Sequence, residues 1–315
     1  MSKKEITLLC PVYNEEENVE IFYQAFSTLI ATIENYSFKF LFLDNCSTDS
    51  TFAKLRQLAD LDSRITVLRY SKNFGVMKSI YTGLLHVKTD CVAVFDCDLQ
   101  DPPSLLLEFI AKWEDGGCIV YGKRMKRDEP RYLTILRNVF KFIQKKLDNS
   151  IEIESGAWLI DQRVLTELRN HNSFEPYLPG LLSRIGFTTI GVPYERKKRK
   201  YGESKFNTRR YFSYATDGIV SGTILPLRLS IWIGVTTSIL SVILMAYFIL
   251  AKFYWGFPFA SGIAANITMD LFLWGIHFIV MGILGEYIGR IYLKDDSSKP
   301  AIIDRIYSKD HNEIL

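Results

Sequence analysis

The sequence predicts an α/β fold, a mostly parallel sheet covered by helices and followed by two transmembrane helices, on three observations. Short apolar, β-rich runs alternate with helix-period segments over the first 220 residues. Residues 231–251 then run without a charge, and at about 1.5 Å per residue they rise roughly 31 Å, the thickness of a bilayer core. The mean hydropathy of +0.06, with 48% hydrophobic and 23% charged residues, is too apolar for one soluble domain and too charged for a polytopic transporter. An average over a charged domain and a membrane hairpin accounts for it, and disorder over most of the 315 residues is excluded.

The elements follow in order: ITLLCPV and a helix over 19–33, FKFLFLD and 51–59, ITVLRY and 76–86, CVAVFD and 103–113, then CIVYG. In such sheets ligands bind beyond the carboxyl ends of the strands. Three polar clusters stand there: Pro11, Tyr13, Asn14 and Glu15; Asp44, Asn45, Ser47, Thr48 and Asp49; and Asp96, Asp98, Gln100 and Asp101. Two aspartates on one tight turn before a proline-capped helix (DLQDPPSLLLEF) can chelate a hard divalent cation carrying a diphosphate. The competing readings are capping of the next helix for Asp96 and Asp98, and an Asx-turn for Asp44 and Asp49.

A second apolar segment, 262–290, contains Asp270, His277, Glu286 and Arg290, with Trp274 and Tyr287 as interfacial anchors and Gly275, Gly282, Gly285 and Gly289 for close packing. Arg228, Arg290 and Lys294 outside the hairpin predict both termini in the cytoplasm of a multi-pass inner-membrane protein. The expected division is a cytoplasmic domain over 1–207, a juxtamembrane amphipathic helix over 208–228, spans over 229–253 and 262–290, and a cytoplasmic tail over 291–315. The five cysteines form no C-x-x-C pair and, with four scattered histidines, no zinc spacing. The 123–146 segment has basic flanks and an apolar face, as expected of a helix on an anionic membrane surface or one packed on the sheet. ERKKRKYGESKF reads better as a phosphate-handling loop than as a nucleic-acid patch, given the apolar segment C-terminal to it.

PVYNEEENV, FLDNCSTDST, SKNFG, VFDCDLQDPP, RKKRKYGESKF and GILGEYIGRIY, in that order, resemble the family 2 glycosyltransferases of the GT-A fold. The similarity is to the polyprenyl-phosphate group that includes bactoprenol glucosyltransferase and dolichyl-phosphate mannose synthase, and it runs from about residue 6 to 303. The resemblance implies inverting transfer of a hexosyl residue from a nucleotide-sugar, UDP-linked by expectation, to a polyprenyl phosphate such as undecaprenyl phosphate. It implies Mg²⁺ or Mn²⁺ on Asp96, Asp98 and Gln100, and donor contacts at Pro11, Tyr13, Glu15, Asp44, Asn45, Asp96, Cys97 and Trp158. Arg124, Arg199 and Lys205 are implied to act on the transferring phosphates beside Asp96 and Asp98, and Arg127, Arg199, Ser204 and Lys205 to bind the lipid phosphate. The implied partners are the donor, the polyprenyl phosphate, the lipid bilayer and a second copy of the chain, with no nucleic acid.

Two departures stand out. Asn45 and Cys46 occupy positions where the family usually has aspartate and glycine, and Gly156 and Trp158 replace an aspartate and an arginine, with Glu152 and Glu154 the nearest carboxylates. A phosphate nucleophile with a second pKa near 6 is already largely anionic, so losing a general base costs little. Trp158 offers a flat face to a sugar or, equally, a core aromatic. The rival functions are a transferase acting directly on a glycolipid or polysaccharide, disfavoured by the missing Q-x-x-R-W, and a noncatalytic membrane scaffold that binds nucleotide-sugar.

Overall fold

The computed structural model describes residues 3–125, 153, 156–171, 178–196, 232–237, 239, 240, 243, 250, 254, 263–297, 299–309 and 311–314. The element order is β1 (Lys4–Val12), α1 (Val19–Ile30), β2 (Tyr36–Asp44), α2 (Thr51–Leu61), β3 (Ile65–Tyr70), α3 (Val76–His86), β4 (Cys91–Val94), α4 (Leu105–Glu114) and β5 (Ile119–Arg124). It continues with β6 (Trp158–Asp161), α5 (Gln162–His171), α6 (Leu178–Arg184), β7 (Thr189–Tyr194), α7 (Ile263–Ser297), β8 (Ile303–Ser308) and β9 (His311–Ile314).

The strands form one sheet in the order β7-β5-β6-β4-β1-β2-β3-β8-β9. The pairings β1–β2, β2–β3, β1–β4 and β5–β7 are parallel, whereas β6 runs against both β4 and β5. Every residue of β4 is buried, as expected of a strand covered on both faces. One apolar layer joins the sheet to α1, α2 and α4 through Phe22, Phe26, Leu55 and Phe109; the other joins it to α3, α5 and α6 through Ile80, Tyr81, Leu165 and Leu181. Helix α1 achieves this with Val19, Phe22, Phe26 and Ile30 on a single helical stripe. The order of the sheet reverses between β1, which leads to β2 and β3, and β4, so the carboxyl ends of β1 and β4 flank a topological switch point.

The chain divides into two compact units, Met1–Ser221 with Ser298–Leu315, and Gly222–Ser297. In the first, β8 returns antiparallel to β3 and β9 extends the edge. Ser71 donates its amide to the Ile302 carbonyl (3.0 Å), the Ala301 amide donates to Thr82 Oγ1 (2.7 Å), and Arg56 lies over the Tyr307 ring. The sequence alone suggests only a tail here, because nothing local specifies a strand's distant partner.

The second unit corrects an expectation. Among the described residues no helix is long and apolar enough to cross a membrane. Helix α7 has 35 residues, but between Asp270 and Glu286 its uncharged run, residues 271–285 with His277 inside it, rises only about 22 Å, short of a bilayer core of about 30 Å. Of the span expected over 229–253, residues 232–237 are helical and most of the remainder lies outside the described residues. The described residues thus do not bear out the two expected transmembrane helices, and the lipid bilayer as a partner and the multi-pass inner-membrane placement, which rested on them, lose that support. The amphipathic helix expected over 208–228 lies outside the described residues, as does the basic 123–146 segment from residue 126 on; its first two residues, Lys123 and Arg124, belong to β5.

Candidate active site

Strands β1, β2, β4, β5 and β7 all end at one edge of the sheet, and their C-terminal loops meet there. The β1 and β2 ends are joined by a lattice of hydrogen bonds made mostly by neutral side chains and backbone amides. Asn14, whose φ of 52° an asparagine tolerates better than most residues, donates its amide to Ser47 Oγ (3.0 Å), and its Oδ1 accepts from the Thr48 amide (2.9 Å). The Glu15 amide donates to Thr51 Oγ1 (2.9 Å), and Asn18 Nδ2 donates to Glu15 Oε2 (2.6 Å). Pro11, Tyr13 and Glu15 are left half-buried along this rim.

Asp44 closes the lattice from below. Its side chain is fully buried; Oδ1 accepts from the Ser47 amide (3.0 Å), and Oδ2 lies 3.6 Å from Arg69 Nε without a hydrogen-bond partner among the described residues. Burial pushes its pKa up, against the hydrogen bonds from Ser47 and the charge of Arg69. Asn45 is buried and engaged at both ends of its amide: Nδ2 donates to Asn73 Oδ1 (3.0 Å) and Oδ1 accepts from the Phe74 amide (2.9 Å). In this structure it holds the loop after β3.

The β4, β5 and β7 ends are built from charges. Asp96 is half-buried, while Asp98 and Asp101 are buried, and Leu99 takes a φ of 52° in the turn that folds them together. Tyr194, at the end of β7, donates its hydroxyl to Asp101 Oδ1 (2.5 Å) and accepts from Arg124 Nε (3.2 Å) at the end of β5. Arg196 bridges two carboxylates, with Nη2 3.5 Å from Asp96 Oδ2 and Nε 3.2 Å from Asp101 Oδ1. Burial, then the charges of Asp101 and Asp98, raise Asp96 from 3.8 to about 6, and Arg196 and Arg124 only partly offset this. Burial and Asp101 push Tyr194 up to about 12.

Among the described residues no three His, Cys, Asp or Glu side chains are gathered to hold a metal ion by themselves. A divalent cation nevertheless suits this end. Among the described residues the carboxylates Asp96, Asp98 and Asp101 stand beside two guanidiniums, Arg124 and Arg196, and Asp101 Oδ2 is buried with no hydrogen-bond partner. An ion held by Asp96 and Asp98 would take its other ligands from an incoming anion.

Gly156 lies against Arg124, with Nη2 3.0 Å from where a Cβ would stand, and its φ of 150° is one that side-chain-bearing residues rarely adopt. Trp158 is fully buried on β6 among Ile80, Leu165 and the rest of that apolar layer, which makes its ring a core side chain here. Cys97 is likewise buried beneath the turn. Gln100 is half-buried, and its amide donates to Asp98 Oδ1 (3.1 Å). Arg127, Glu152, Glu154, Arg199, Ser204 and Lys205 lie outside the described residues. Sequence reasoning missed Tyr194 and Arg196 and gave Asp101 no role. Arg196 was hidden in a basic run, and the available signal was its place two residues after the end of a strand.

The Glycosyl transferase family 2 model matches residues 7–167. An uncharacterised glycosyltransferase of Bacillus subtilis is 30% identical over 312 residues, 98% of this chain and 96% of its own length. A prophage bactoprenol glucosyl transferase homolog of Escherichia coli is 32% identical over 304 residues, 96% of this chain and 99% of its own. Among solved structures, glucosyl-3-phosphoglycerate synthase from Mycobacterium tuberculosis, in complex with Mn²⁺, UDP and glucosyl-3-phosphoglycerate, superposes with a TM-score of 0.52 at 18% identity. That match covers 69% of this chain and 78% of the synthase, and it shows the shared fold.

Proposed function

Since the chain belongs to glycosyl transferase family 2 and is a glycosyltransferase, we propose that it moves a hexosyl residue from a nucleotide-sugar to a polyprenyl phosphate, with inversion at C1 and with a divalent cation. One observation carries the reading: Asp96, Asp98 and Asp101 stand together at the switch point, where among the described residues two guanidiniums, Arg124 and Arg196, face three carboxylates. Similarity to a bactoprenol glucosyl transferase homolog over nearly the whole chain supports the acceptor, and the Mn²⁺ and UDP in the synthase complex support the cation and the donor class.

Asp96 and Asp98, with Gln100 beside them, would hold the cation, which when bound neutralises the donor diphosphate and eases its departure. The buried Asp44 oxygen without a partner can accept from a base N–H, and the rim of Pro11, Tyr13 and Glu15 lines the way to it. A phosphate oxygen of the acceptor forms the bond to C1 as the bond from C1 to the diphosphate oxygen breaks. That oxygen is anionic at neutral pH, so the step needs no side-chain base, in keeping with Gly156 at the position where the family resemblance implies an aspartate. Arg124 brings positive charge to the phosphates at the described edge; Arg127, Arg199, Ser204 and Lys205 are assigned the acceptor phosphate.

The test is incubation of the purified chain with Mn²⁺, undecaprenyl phosphate in detergent, and UDP-glucose, UDP-galactose, UDP-N-acetylglucosamine or GDP-mannose in parallel. A lipid-linked sugar from one donor is expected, and no product from any of them would overturn the acceptor. Full activity in Asp98→Ala would overturn the metal assignment.

A further inference from the structure

The guanidinium of Arg196 occupies the place where the proposed donor and its cation must arrive, and it is held there loosely. Among the described residues it makes one hydrogen bond, a long one of 3.5 Å from Nη2 to Asp96 Oδ2, and its buried Nε stands 3.2 Å from Asp101 Oδ1 without being directed at it. By contrast, the Arg163 guanidinium is locked onto Asp161 by a 2.9 Å hydrogen bond. Arginine forks bind carboxylates and phosphates with the same planar geometry, and a guanidinium held by charge more than by directed bonds exchanges one for the other at little cost. The surroundings are arranged for its departure. Asp101 keeps the Tyr194 hydroxyl at 2.5 Å, and Tyr194 is backed by Arg124 at 3.2 Å, so Asp101 stays anchored when Arg196 leaves.

We propose that Arg196 is a resident counter-ion that competes with the divalent cation for Asp96 and, once displaced by it, binds the diphosphate of the donor. The inference rests on the proposed reaction only for the donor's diphosphate and its cation; it makes no use of the acceptor. Removing a positive charge 3.5 Å from Asp96 strengthens the site for a cation, and removing a phosphate-binding fork weakens it for a nucleotide. A residue that merely props up the turn would weaken both or neither.

The experiment uses the full chain without sugar or lipid. Mn²⁺ affinity is measured by electron paramagnetic resonance, and UDP and GDP affinities by calorimetry at saturating Mn²⁺. Arg196→Gln is expected to bind Mn²⁺ alone about tenfold more tightly than the parent and nucleoside diphosphate about tenfold more weakly. Arg196→Lys, which keeps the charge but not the fork, should hold Mn²⁺ within about threefold of the parent while still losing diphosphate affinity. Unchanged or weaker Mn²⁺ binding in Arg196→Gln, or unchanged diphosphate binding, overturns the proposal. If Arg196→Gln does not fold, Arg196→Lys decides alone, and diphosphate affinity equal to the parent's overturns it. A protein that shows the opposed shifts but yields no lipid-linked sugar leaves Arg196 in this role and removes only the acceptor.

Discussion

The two halves of the site edge are made of opposite materials. At the β1 and β2 ends, Asn14, Ser47, Thr48 and Thr51 form a neutral lattice in which donors and acceptors meet at 2.9 to 3.0 Å. At the β4, β5 and β7 ends, Asp96, Asp98, Asp101, Arg124 and Arg196 form a charged cluster that leaves Asp96 raised to about 6 and an Asp101 oxygen without a hydrogen-bond partner. The neutral lattice fixes the shape of the loops and leaves one buried acceptor beside it, Asp44 Oδ2, without a hydrogen-bond partner among the described residues. The charged half is unfinished in a way that an incoming cation and anion would complete, which is the usual cost of a preorganised site.

Substitutions can break that contrast, and the largest effect is expected in the charged half. Asp98→Ala should lower kcat/KM for the donor by about 10²- to 10³-fold while leaving the thermal midpoint nearly unchanged; a loss of stability as large as the loss of activity would make the residue structural. Asp101→Asn removes the charge that anchors Arg196 and should cost about 2 kcal/mol in urea unfolding, below the usual loss for a fully buried pair because Arg196 is one quarter exposed. Gly156→Ala places a Cβ against Arg124 at a φ that side chains rarely adopt, and should cost about 1.5 kcal/mol together with part of the activity.

The neutral half should respond more weakly. Ser47→Ala loses the bond from the Asn14 amide, and about 1 kcal/mol of stability with a rise in donor KM is expected, kcat being nearly unchanged. In the charged half, one change in stability has the opposite sign. Asp96→Asn should abolish transfer yet raise the thermal midpoint by about 2 °C at neutral pH, because it removes a carboxylate whose ionisation the fold disfavours. The sign comes from the shift. Between 3.8 and about 6 the folded state keeps a proton that the unfolded state has lost, so the parent's stability falls as pH rises through that window, and the variant should lack that decline. The side chain is 38% exposed, and solvent screening limits the difference to about 1 kcal/mol.

Much of the sheet was legible because its signals are local. ITLLCPV, FKFLFLD, ITVLRY and CVAVF announce buried parallel strands by composition alone, and strand ends announce Asp44 and Asp96 by position. Other features had no local signal. Trp158 offers the same aromatic face to a sugar or to a core until β6 is seen wedged between β4 and β5 with its ring fully buried. Asn45 looks like a ligand contact until Asn73 and Phe74 are seen to occupy its amide. The apolar character of 262–290 was also legible, as were Asp270 and Glu286 within it; a span was expected despite these charges, which cut the uncharged run of α7 to residues 271–285.

The sequence by itself determined the alternation of strands and helices, the family, and the placing of acidic turns at strand ends, because periodicity and short motifs are properties of neighbours along the chain. Only the tertiary structure decided that β7 lies beside β5, that residues 303–308 return to β3, and that Arg196 rests on Asp96 and Asp101 a hundred residues away. Those are pairings across loops. Their partners are selected by which backbone edges, apolar faces and opposite charges remain unsatisfied once the local elements have formed, and that selection is made in three dimensions.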